Sequence, residues 1–194
     1  ISLKVRDRNS NYQVRCLEQL IKENITKCEK YEFTKNILEQ FERSEIVILS
    51  TLWSEEDILS LENLIPLLKS NNKKVVLVSQ QMHMRTHTSY KFNPLDHYFH
   101  LNKKLPDKKN LEKIEKNVFS HLDKTLNKKL FDIAKKFSIK FLNFEEIQCD
   151  YQIKSCNLVT PKNYKIYWDA IHITEEGAKY FSNKIYKINW FKID

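Results

Sequence analysis

Residues 167–181 read YWDAIHITEEGAKYF, and the rest of the chain is organised around them. An aromatic, partly apolar run ends at Asp169, His172 follows three residues later, and Thr174 with Glu175 and Glu176 opens an apolar-periodic segment. That order marks an extended end, a tight turn and a helix start. The turn brings a carboxylate and an imidazole close together, the pairing that fixes an imidazole's tautomer and stabilises its protonated form while it works as a base. A D-x-x-H spacing alone also suits a solvated Asp and a surface His ahead of a helix. The wider frame favours the chemical reading, since the closing helix of an α/β chain follows at once and Gly177 is the one glycine in the sequence.

Working outward, Ile46-Val47-Ile48-Leu49 is a continuous apolar run of the length and β-branched content expected for a strand buried on both faces. Lys74 to Ser79 repeats that signature, and Ile139 to Phe144 repeats it again. Helical spacing separates them: Ile58, Leu61 and Ile65 in one segment that Pro66 could kink, then a long pattern through Leu111, Ile114, Val118, Leu122, Leu126 and Ile133. Strands alternating with helices predict a parallel sheet covered by helices on both sides. Earlier in the chain, Ile1 to Val5 reads as a strand already in progress, as if cut from a longer chain, followed by helical patterns over 12–25 and 33–41.

In such sheets functional residues collect at the carboxyl ends of the strands. Trp53 and Ser54 follow the first of these runs, and Gln80, Gln81 and His83 follow the second. Trp53 is a candidate for stacking a sugar ring, with a core position at the strand–helix junction as the alternative. Ser54 has Asp57 three residues on, close to a capping box. From Gln80 to Asn110 there are few helix or strand signals, and the segment carries His83, His87, His97 and His100. It reads as a long loop, of the kind that serves as a lid or binding surface. His83-x-x-x-His87 lacks the Glu of an HExxH zincin, so no metal is expected.

The 194 residues, 41% apolar and 30% charged, suffice for one sizeable core, and residues 1–194 are expected to form a single domain. No run of about 18 uncharged apolar residues exists and the N-terminus has no signal-peptide core, so export would be directed from outside this sequence. A net charge of +8 suits an anionic partner, yet the lysines are spread along the chain and no nucleic-acid motif is present, so no nucleic acid is expected. Cys16 pairs naturally in sequence with Cys28, and Cys149 with Cys156. Two local disulfides in an oxidising compartment are the preferred reading; four reduced thiols are the alternative.

The stretch YWDAIHITEEGAKYF resembles the final block of the SGNH (GDSL-like) hydrolases, in which D-x-x-H supplies the acid and base of a catalytic triad. EIVILSTLWSEED (45 to 57), KVVLVSQ (74 to 80) and the Cys149, Cys156 pair narrow the likeness to the SGNH domain fused to membrane acyltransferase-three proteins, which O-acetylate bacterial surface polysaccharides. The resemblance implies a flavodoxin-like three-layer α/β/α sandwich with a central parallel sheet, here lacking its first strand and helix. It implies an extracytoplasmic, periplasmic O-acyltransferase or esterase that needs no cofactor. A membrane acyltransferase domain in the same polypeptide would deliver the acyl donor, and a cell-surface glycan would accept it. His172 would be the base and Asp169 its partner. The sequence departs from the family pattern in having no Gly-Asp-Ser block, no glycine after Leu49 to complete an oxyanion hole, and no G-x-N-D block; the serine is therefore expected upstream of Ile1. A plain carbohydrate esterase, or a non-catalytic glycan-binding domain that kept the fold, are the competing expectations.

Overall fold

The structure, a computed structural model, describes residues 41–81, 83–84 and 93–192. The expected strand at 1–5, the helical patterns over 12–25 and 33–40, and the Cys16, Cys28 pairing lie outside these residues. Two compact units are present. One holds the described residues up to Gln80 together with Lys124–Leu142, and the other holds those of Gln81–Asp123 and Asn143–Asp194.

The first unit is a parallel sheet with its helices. Strands β1 (Ile46–Leu49), β2 (Lys74–Val78) and β3 (Lys140–Leu142) lie in the order β1-β2-β3, with Val47 opposite Val75 and Leu77 opposite Phe141. Helix α1 (Glu55–Ser70) connects β1 to β2. It starts where the sequence marks it: Ser54 Oγ accepts the Asp57 N–H at 3.2 Å and Asp57 Oδ2 accepts the Ser54 N–H at 2.9 Å, a complete capping box. The helix runs through Pro66 and buries Ile58, Leu61, Leu64, Ile65 and Leu68 against Val47, Leu49, Val75 and Leu77. Each such side chain contributes about 1.5–3 kcal/mol on leaving water, so these apolar runs, and not the polar flanks, hold the sheet. Leu130, Ile133 and Ala134 of a further helix complete the same core.

The long helical pattern between Leu111 and Ile133 proves to be two helices, Lys108–Ser120 and Thr125–Lys136, separated at 121–124. The segment expected to be a loop also contains a helix, α2 (Pro94–Asn102). The start signal was present: Asn93 caps it by accepting from the N–H groups of Leu95 and Asp96 at 2.9 and 3.0 Å, and Pro94 takes the first helical position, where a missing N–H costs nothing. Numbered in order, the two later helices are α3 and α4.

The second unit contains α2, α3, a short helix α5 (Glu145–Gln148), the antiparallel pair β4 (Cys149–Asp150) and β5 (Ser155–Cys156), and the closing helix α6 (Glu175–Lys187). Its core gathers Met84, Leu95, Val118, Ile147, Leu158, Ile166, Tyr167 and Phe181. Cys149 and Cys156 face each other across β4 and β5 and are joined by a disulfide, buried within that core. Closing so short a loop removes about 2–3 kcal/mol of chain entropy from the unfolded state in the usual model. Replacing both cysteines by Ala is expected to lower stability by that order, and non-reducing peptide mapping of protein purified without reductant should return the 149–156 link; free thiols at both positions would refute it.

Candidate active site

The turn at 167–173 is built before any chemistry is asked of it. Tyr167 and Ile173 form an isolated antiparallel bridge, the Trp168 N–H donates to the His172 carbonyl at 2.7 Å, and the Thr174 N–H donates to the Ile166 carbonyl at 2.8 Å. The backbone therefore leaves the extended segment and returns to it in six residues. Thr174 then caps α6, its Oγ1 accepting from Gly177 N–H at 3.0 Å while donating to the Lys165 carbonyl at 2.7 Å.

Segments distant in sequence hold this turn in place. Asn93 Nδ2 donates to the carbonyls of Tyr167 and Trp168 at 2.8 and 3.3 Å. The Met84 N–H donates to the Ala170 carbonyl at 2.7 Å, and Gln81 Nε2 donates to the Ile171 carbonyl. Beneath it the Tyr167 ring is buried with its hydroxyl accepting from Gln148 Nε2 at 3.0 Å; burial pushes the phenol pKa up, so the group stays neutral.

Within the turn Asp169 uses both oxygens. Oδ1 accepts the N–H groups of Ile171 and His172, each at 2.8 Å, an Asx turn that fixes the carboxylate plane. Oδ2 meets His172 Nδ1 at 2.7 Å. Desolvation raises the Asp169 pKa, but the His172 N–H, the imidazole and the Ile171 N–H outweigh it, and the carboxyl falls from its ordinary 3.8 to about 2. An ionised carboxylate can only accept, so Nδ1 carries a proton toward it, and in the neutral form of the ring the lone pair is on Nε2. The imidazole is 71% exposed and the carboxylate 40%, so the ring is accessible from solvent.

A depressed carboxyl pKa stabilises the folded form above its unfolded value and loses that contribution as pH falls through the folded one. Asp169→Asn should therefore narrow the stability difference from wild type between about pH 4 and pH 2, measured by thermal unfolding. A difference that is constant across this window would deny the coupling.

The remaining site candidates have different surroundings. Trp53 is 4% exposed, packed in the core of the first unit, and its indole N–H donates to the Val78 carbonyl at 2.9 Å. Ser54 spends its hydroxyl on the capping box, donating to Asp57 Oδ2 at 2.8 Å. Both belong to the first unit, whereas Asp169 and His172 belong to the second. His83 is among the described residues and His87 is not. Sequence reasoning passed over Asn93 and Met84, whose contacts to 167–171 span more than seventy residues and leave no local pattern. It also passed over Trp168, the Trp that the structure leaves 66% exposed beside the dyad.

Three parallel strands alternating with helices define the α/β class. More narrowly, the chain belongs to the family described as SGNH domain (fused to AT3 domains), whose model matches residues 11–187. Among solved structures, the lipopolysaccharide acetyltransferase periplasmic domain of Salmonella ser. Paratyphi A is similar at 16% identity and a TM-score of 0.55, covering 79% of this chain and 60% of that one. The chain thus spans less than two thirds of that neighbour, and the likeness is one of fold. A proposed acylhydrolase of Bacteroides fragilis NCTC 9343 matches at 16% identity and a TM-score of 0.44, over 93% of this chain and 69% of that one. No curated protein sequence matches significantly. Among the described residues no helix is long and apolar enough to cross a membrane.

Proposed function

We propose that the chain is the extracytoplasmic acyl-transfer domain of a larger polypeptide, modifying cell-surface polysaccharide through a Ser-His-Asp triad. The observation that carries this reading is the Asp169–His172 pair: a carboxylate held ionised by three hydrogen bonds, one of them to Nδ1 of an exposed imidazole. Family membership supports the reaction class, and the family's fusion to AT3 domains supports a membrane acyltransferase domain in the same polypeptide as the source of the acyl group. The sequence contains no Gly-Asp-Ser block, so in this reading the serine comes from sequence preceding Ile1.

The chemistry follows from those groups. His172 Nε2 takes the serine proton as the oxygen attacks the acyl carbon, and Asp169 stabilises the imidazolium that forms. The acyl group then sits on the serine as an ester and the donor's leaving group departs with the proton. In the second half His172 takes a proton from the acceptor hydroxyl as that oxygen attacks the ester, and returns it to the serine oxygen as the serine–acyl bond breaks. A sugar hydroxyl gives transfer and water gives hydrolysis.

The test is the O-acyl content of surface polysaccharide in cells making the complete polypeptide, compared with cells carrying His172→Ala. Loss of ester-linked acyl groups supports the proposal, and unchanged acylation overturns it.

A further inference from the structure

Resting on that reading, we infer that Trp168, with the Lys165–Asp96 ion pair beside it, is a stacking platform for a saccharide ring of the acceptor glycan. The segment 165–168 places Ile166 and Tyr167 in the core and turns Trp168 outward at 66% exposure. Exposed though its ring is, its backbone is fixed: the N–H is bound to the His172 carbonyl at 2.7 Å and the carbonyl to Asn93 Nδ2 at 3.3 Å. The backbone that carries this side chain is thus held one hydrogen bond from the residue proposed as the base.

Its charged neighbour selects the ligand. Lys165 Nζ lies 5.9 Å from the centre of the Trp168 ring and is bound by both oxygens of Asp96, at 2.8 and 2.7 Å. With its charge already matched, the ammonium is poorly suited to gripping a phosphate, and an ion pair is a poor neighbour for an acyl chain. A hydroxyl-rich ring fits both features, laying its C–H face on the indole and exchanging hydrogen bonds with the ammonium and carboxylate. Rigid aromatic faces beside a few fixed polar groups are the usual composition of such sites.

The experiment uses the complete polypeptide and de-O-acylated oligosaccharides prepared from the surface polysaccharide of the cells that make it. Calorimetric titration of the His172→Ala protein measures binding without turnover, and steady-state transfer is measured in the His172 background. Adding Trp168→Ala should weaken binding at least about tenfold and raise KM for the oligosaccharide in proportion, with kcat changed less than about threefold. Trp168→Phe should restore most of the affinity, which a merely structural role would not require. Equal affinity in the Trp168→Ala protein, or no binding by the parent, overturns the platform. Failure of the underlying acyl-transfer reading shows separately, as an absence of acyl release from p-nitrophenyl acetate by the unsubstituted protein.

Discussion

Replacing His172 with Ala in the complete polypeptide is expected to lower the proposed acyl transfer by about 10² to 10⁴-fold and to leave the domain folded. The magnitude is that of a positioned general base, the role proposed above for His172, whose Nδ1 is held by Asp169 Oδ2 at 2.7 Å. The fold should survive because the imidazole is 71% exposed and its loss opens no cavity in the core. Asp169→Asn should cost a comparable or smaller factor. The amide can keep one acceptor for the Ile171 and His172 N–H groups, but it no longer stabilises an imidazolium and can turn its NH₂ toward Nδ1, forcing the wrong tautomer. Initial rates on p-nitrophenyl acetate, with circular dichroism as the folding control, decide the matter. Full activity in the His172→Ala protein would end the triad reading.

The parts of this molecule that local chemistry dictates were legible in its sequence, and those that depend on distant partners were not. The β-branched runs at 46–49 and 74–78 could be little else than strands, and the structure pairs them in parallel as the alternation with helices implies, although Ile46 and Ile48 are only half-buried where burial on both faces was expected. The third run, at 139–144, shortens to Lys140–Leu142. The closing turn was readable because each of its devices is short-range: Asp169 reaches two and three residues on, and Thr174 reaches three. Helix α2 was missed because its packing residues, Pro94 and Leu95, lie at its start, so no apolar stripe runs along it and only the Asn-Pro cap announces it. The two tryptophans show the same limit at single-residue scale. A strand-end position does not say to which side the ring turns; Trp53 turned in to donate to Val78, and Trp168 turned out.

The second large effect is expected at Gly177, the sequence's one glycine, and it runs against the usual rule for helices. Gly177 lies in the first turn of α6, and replacing a helical glycine by alanine ordinarily stabilises by up to about 1 kcal/mol. Here an added Cβ would stand 2.3 Å from the Ile166 carbonyl oxygen, 3.0 Å from its carbon and 2.9 Å from Ile173 Cγ2. The first two are backbone atoms and cannot swing aside, and the Ile166 oxygen is already the acceptor for Thr174 N–H at 2.8 Å. Either α6 moves away and its cap loosens, or the Ile166 peptide shifts and takes the start of the 167–173 turn with it. Overpacking of this kind costs about 1–3 kcal/mol, which exceeds the propensity gain, so Gly177→Ala should lower stability and Gly177→Val should lower it further. At a cost of ~2 kcal/mol, a chain of this length loses roughly 4–8 °C in Tm. The clash also falls on the segment that carries the dyad, so activity per folded molecule should fall with stability in both variants. A Gly177→Ala protein that melts at or above the wild-type temperature, with its rate intact, would show that α6 does not press on Ile166 as closely as this geometry requires.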